Sequence, residues 1–214
     1  MSSATEQLLA VVLLINILIL GIRRTDMAIR AISLQGVILG LLPLLGHNFQ
    51  MHMLMITVLV LLAKGIFIPW LLLGAMKKVD FGEEVDPLFG YNGNIILGAL
   101  ATIFSFAIAK RLPMAPSHQE LLIVPVALAT MLAGAIALAT RRKAINQVIG
   151  YLLLENGIFI FGLLLSESMP LMVEAGALLD LIAGIFVMGI IINHISREFS
   201  SIDTSRMTSL KEVE

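Results

Sequence analysis

Four ionisable side chains stand in stretches that otherwise read as lipid-crossing: Lys64 in "LAKGIFIPWLL", Glu155 in "GYLLLENGIFIFGLLL", and Glu174 and Asp180 in "LMVEAGALLDLIAG". An acidic side chain at the centre of a bilayer costs on the order of 2.5–3.5 kcal/mol on the insertion scale. The chemistry that residues of these types perform at such depth is proton uptake and release. Apolar burial favours a neutral carboxyl group, and a neighbouring ammonium favours the ionised one. A lysine that moves toward or away from a carboxylate therefore switches it between proton release and acceptance. Lys64 lies twelve residues before Met76, Glu155 eleven after Ala144 and Asp180 twelve before Ile192. At 1.5 Å per residue each is roughly 17–18 Å in from the same side, near the midplane. Three groups at one depth form a proton-path constellation. Glu174, six residues before Asp180, is nearer the opposite side, either a further step toward an exit or a side chain that snorkels outward. Against this stands the plainer reading in which buried polar groups only join helices, and the matched depth favours the path.

The elements that hold these groups follow from composition. The chain has 214 residues, 58% hydrophobic and 14% charged, with a mean hydropathy of +0.98. Soluble domains carry about a quarter charged residues, so this reads as an all-α, polytopic membrane protein. Seven apolar runs approach or exceed the ~20 residues that a ~30 Å hydrocarbon core requires: 6–22, 27–45, 51–76, 93–109, 120–140, 144–165 and 171–195. The segment before the first run lacks a basic stretch, which points to a retained span rather than a signal peptide. Two loops, "KKVDFGEEVDPLFGYN" and "KRLPMAPSH", divide the chain. The expected organisation is a four-helix region over 1–110, a three-helix region over 111–195 and a polar tail over 196–214.

Eleven Lys and Arg residues collect on one side of these spans and only Lys110 and Arg111 on the other. The positive-inside rule then places the amino terminus outside the cytoplasm and the carboxyl terminus within it. The location expected is the inner (plasma) membrane, crossed many times.

Other classes are disfavoured. There is no cysteine, so thiolate-held zinc, iron–sulfur clusters and disulfides have no ligands here. The four histidines, His47, His52, His118 and His194, show no ligand spacing. With a net charge of −1 and no basic run interleaved with aromatics, nucleic acid is not an expected partner. The methionines of "MHMLM" read as packing residues rather than copper ligands. Asn16, Gln35 and Ser105 read as helix-contact hydrogen bonds, and Pro125 as a bend.

Local sequence says how each charge is tolerated. Gly176, Ala177, Ala183 and Gly184 flank Asp180 at three and four residues, a small-residue face for a neighbouring helix. Pro69 has no N–H to give the carbonyl of Gly65, which is left free beside Lys64. Glu155 shares a helix face with Tyr151 and Phe159 and is followed by the polar break Asn156-Gly157.

Taken together, "IGYLLLENGIFIFGLLL", "LLDLIAGIFVMGIIINHI", "SIDTSRMTSLK" and "LAKGIFIPWLLLGAMKK" resemble the component E family of hydrogenase-4-type membrane complexes over nearly the whole chain. The last three spans also resemble the three-helix K-type subunit of respiratory complex I. That resemblance implies that Glu155 and Asp180 take the places of two membrane carboxylates in a proton pathway. The K-type subunit usually has glutamate where this chain has Asp180, so a bridging water is expected rather than direct contact.

The resemblance further implies an ion-translocating, non-catalytic subunit of a formate hydrogenlyase-type oxidoreductase complex, carrying protons or sodium and holding no cofactor itself. Its partners would be antiporter-like and core membrane subunits, the lipid bilayer, and a peripheral iron–sulfur arm with a nickel–iron site in true hydrogenases. The competing readings are a scaffold that joins pumping subunits and an independent exchanger; the latter lacks a visible inverted repeat.

Overall fold

The computed structural model describes residues 3–45, 57–58, 60–78, 87–112 and 122–165. Asp180 and Glu174, the seventh expected span, the polar tail, "MHMLM" and all four histidines lie outside the described residues. Within them the chain forms α1 (Ser3–Gly21), α2 (Thr25–Leu41) continuing into a 3-10 turn (Leu42–Leu45), a π-helical turn (Ala63–Phe67) running into α3 (Ile68–Lys78), α4 (Gly90–Ala109), α5 (Ile123–Thr140) and α6 (Ala144–Leu165). The architecture is all-α. Among the described residues four stretches are long and apolar enough to cross a membrane, Ala4–Gly21, Gly90–Ala109, Ile123–Thr140 and Ile145–Leu164, and Val60–Gly74 is a shorter apolar helix. This is a multi-pass membrane protein.

Charge decides where the helices stop. Arg23 and Arg24 separate α1 from α2, and Asp26, in the first turn of α2, takes a two-pronged contact from the Arg24 guanidinium at 3.1 Å for each prong. Arg141, Arg142 and Lys143 separate α5 from α6. Pro125 does not bend its span. It sits in the first turn of α5, where a missing N–H leaves no intrahelical bond unmade. Ser105 corrects a second expectation, because its hydroxyl donates to Ala101 O of its own helix at 2.7 Å.

Packing in lipid relies on close approach, since apolar surface gains nothing by leaving a hydrocarbon solvent. The α5–α6 pair shows this: a Cβ on Gly157 would stand 2.5 Å from the backbone nitrogen of Met131, and one on Gly150 2.7 Å from that of Leu138. α4 packs against α5 and α1 with Tyr91, Asn94, Gly98, Ser105 and Ala109 inward. Its Ile96, Leu100, Ile103 and Phe104 face outward.

The buried apolar side chains fall into two clusters. One joins Ile19, Ile29, Ile32, Leu72, Ala133 and Leu153; the other joins Leu9, Val12, Leu39, Ala127 and Ile160. In α2, α5 and α6 buried polar residues stand between the clusters: Gln35, Thr130, and Glu155 with Asn156. Asn16 of α1 lies at the same border. A polar layer thus divides the core.

Candidate functional site: a buried ion pair and its polar layer

Lys64 is carried by the π-helical turn, and Pro69 explains the local geometry. Pro69 cannot donate to Gly65 O. In the turn before it the N–H of Ile68 reaches back five residues, to Ala63 O. Single π turns inside helices are recurrent at functional positions. On the facing helix α2, Gly36 makes room for the lysine stem, since a Cβ there would stand 2.9 Å from Lys64 Cβ.

The ammonium reaches Glu155 of α6. Lys64 Nζ lies 2.8 Å from Glu155 Oε1, with the two side chains 9% and 2% exposed. Lys64 Nζ also donates to Asn156 Oδ1 at 3.1 Å and stands 5.4 Å from the centre of the Phe159 ring. Carboxylate, amide oxygen and ring face therefore surround one cation, which is how a charge is kept at low dielectric. Glu155 Oε2 is buried with no hydrogen-bond partner among the described residues.

Beyond Asn156 the polar contacts continue through the layer. Asn156 Nδ2 donates to Gln35 Oε1 at 3.4 Å, Gln35 Nε2 to Asn16 Oδ1 at 2.8 Å, and Asn16 Nδ2 to Thr130 Oγ1 at 2.8 Å. Thr130 Oγ1 donates to Val126 O at 2.7 Å. Asn16 and Gln35 are thus helix-contact hydrogen bonds, as expected, and they also lead to the ion pair. Gln35 and Thr130 lie ten residues from the helix ends Thr25 and Thr140, and Glu155 eleven from Ala144, depths of about 15–17 Å.

Of the four sequence-derived residues, the structure brings Lys64 and Glu155 together. Asp180 and Glu174, and with them any Glu155–Asp180 contact, lie outside the described residues. Sequence reasoning missed Arg141, which was counted only as one basic residue among eleven. It is buried at 7% exposure, and its guanidinium donates to Ile19 O at 3.0 Å, to Leu20 O at 3.4 Å and to Ile22 O at 3.1 Å. These are carbonyls that the end of α1 leaves without intrahelical donors. Arg141 and Arg23 also lie 5.4 and 5.2 Å from the Tyr91 ring. The available signal was the absence of any basic residue in the last turn of α1, which leaves its carbonyls to be capped from elsewhere.

Comparison with known proteins gives relatives of low identity and broad coverage. The chain is 28% identical over 202 residues to the uncharacterized protein Rv0085 of Mycobacterium tuberculosis, covering 93% of this chain and 92% of the relative. It is also 28% identical over 152 residues to hydrogenase-4 component E of Escherichia coli and of Shigella flexneri, covering 70% of this chain and 69% of each relative. No family model matches, and no solved structure matches significantly. The chain is homologous to hydrogenase-4 component E.

Proposed function

We propose that this chain is a membrane subunit of a hydrogenase-type, complex-I-related redox complex, and that its buried Lys64–Glu155 pair takes part in moving protons through the membrane. The observation that carries the reading is the pair itself: an ammonium 2.8 Å from a carboxylate, inside the bundle, on a π turn of one helix and against an apolar helix of another. A static joint between helices needs neither charge, because apolar side chains of similar volume hold helices together as well as a buried pair does or better. Withdrawal of Lys64 from Glu155 is the step that lets the carboxyl group accept a proton, and its return is the step that expels it. Asp180 and Glu174 of the seventh span would continue the path. The chain itself would hold no metal or cluster, and the redox chemistry would belong to a peripheral iron–sulfur arm.

In this reading seven spans place the carboxyl terminus in the cytoplasm, on the side of Arg23, Arg24 and Arg141. Antiporter-like and core membrane subunits would flank the bundle. A scaffold role is the second reading. It is supported by Arg141, which ties the end of α1 to the α5–α6 corner. The test is a series in the assembled complex: Glu155→Gln, Asp180→Asn and truncation after residue 195, each assayed for complex content and for ion gradient in inverted vesicles. An ion-path subunit loses the gradient in the first two with assembly intact. A scaffold loses assembly in the third and pumps normally in the others.

A further inference from the structure

The polar layer has a direction. An ammonium only donates hydrogen bonds, so Asn156 must turn its oxygen to Lys64, as it does. Its NH2 then faces Gln35, which must present an oxygen. Gln35 in turn donates to Asn16, and Asn16 to Thr130. The hydroxyl of Thr130 accepts this last bond and donates to the backbone of Val126, where the chain ends. One donor-only group at one end sets the orientation of three amides on three helices, and the Thr130 hydroxyl of a fourth closes the chain.

Reversing any single amide would set N–H against N–H on its side toward Lys64. Asn156, Gln35, Asn16 and Thr130 are at most 2% exposed, so bulk water does not compensate a broken link, and an unmade buried bond is costly. The amides turn together or not at all. Their oxygen ends all point toward Lys64, and aligned hydrogen bonds polarise one another. The lysine is accordingly held by a chain four residues long rather than by one carboxylate. Amide groups do not pass protons along such a chain at neutral pH, and its last acceptor is a backbone carbonyl.

We infer that Asn156, Gln35, Asn16 and Thr130 are positioning residues that fix the Lys64 ammonium against Glu155, Thr130 acting from the far end through Asn16, Gln35 and Asn156. The inference rests on the proton-transfer reading above and names the residues that control the pair.

The experiment compares Thr130→Val, Thr130→Ser and Gln35→Leu with Lys64→Gln, Glu155→Gln and the wild type. Ions translocated per electron are measured in inverted vesicles holding equal amounts of the complex. In parallel, the 1H–15N signal of the Lys64 ammonium is recorded on the full chain in detergent, where only a hydrogen-bonded, protected ammonium gives a peak. Thr130→Val and Gln35→Leu are expected to lower the ion ratio about threefold, the population shift that one lost interhelical hydrogen bond produces, and to weaken the Lys64 peak. Thr130→Ser, which keeps the hydroxyl, is expected to match the wild type in both.

Normal pumping in Thr130→Val and Gln35→Leu, with loss in Lys64→Gln, would overturn the positioning role and leave the proton-path reading standing. Reduced pumping with an unchanged Lys64 peak would overturn it too, because the chain would then act by another route. Normal pumping in Lys64→Gln and Glu155→Gln would remove the proton-path reading and this inference with it. If a variant does not assemble, the ammonium peak decides alone: an unchanged peak in Thr130→Val refutes positioning.

Discussion

Lys64 Nζ meets Glu155 Oε1 at 2.8 Å, joining a π-helical turn to the middle of α6 at the border between two apolar clusters. Each residue answers the cost of burying the other, so neither is tolerable alone. That mutual dependence is what the pair's stability and its use have in common.

Stability should show it first. Removing one member of a buried pair strands the other, at a cost of about 3–5 kcal/mol. Lys64→Met is therefore expected to lower the thermal midpoint of the chain in detergent sharply. The double variant Lys64→Met/Glu155→Leu should recover most of the loss, and a double variant as unstable as the sum of its singles would show that the two residues act separately.

The π turn sets the direction in which Lys64 points. Pro69→Ala restores an N–H for Gly65 O and allows the turn to tighten to α-helical spacing, which rotates Lys64 by about 100° relative to Ile68. The expected result is an assembled complex with reduced ion movement per electron. Wild-type coupling in this variant would show that Pro69 has no part in aiming the lysine.

Helix contact at the α5–α6 crossing leaves no room for a side chain at Gly157. Gly157→Leu should force the helices apart at a cost of at least about 1–3 kcal/mol, seen as loss of folded chain in membranes. Glu155 and Asn156 lie on the adjoining turn, so the ion pair should be lost with it.

Arg141 makes a different kind of contribution. Its three carbonyl contacts are shared by one guanidinium nitrogen, Nη2, held there by a planar group that lies against the Tyr91 ring, a stacking that lysine lacks. Arg141→Lys is expected to destabilise the chain by about 1–3 kcal/mol while leaving ions per electron unchanged in the complex that does assemble. A coupling defect here, without destabilisation, would move Arg141 from the scaffold into the ion path.

The four spans among the described residues were legible because lipid imposes a simple rule of length and because charged residues punctuate them. The bounds of α6, 144–165, agree with the apolar run read from the sequence. Depth was legible as well: counting residues from a charged boundary placed Lys64 and Glu155 at one height. Azimuth was not, since helices that are apolar all round offer no stripe to say which way a side chain faces. For that reason Asn156 read as a polar break rather than as a ligand of the ammonium, and Asn16 and Gln35 as separate contacts. Pro69 signalled the disturbed turn correctly because the missing donor is written in the residue type. Arg141 was hidden among other arginines, since burial cannot be read from charge alone.

The most direct measurement is ion translocation per electron in inverted vesicles holding equal amounts of the complex, wild type against Glu155→Gln. A carboxamide keeps the shape of the glutamate and an oxygen for Lys64 but cannot take up and release a proton. If the pair lies in the proton path, the gradient collapses while the complex remains assembled, with electron transfer slowed or uncoupled. An undiminished ratio would contradict that claim and leave Lys64 and Glu155 as a joint between helices.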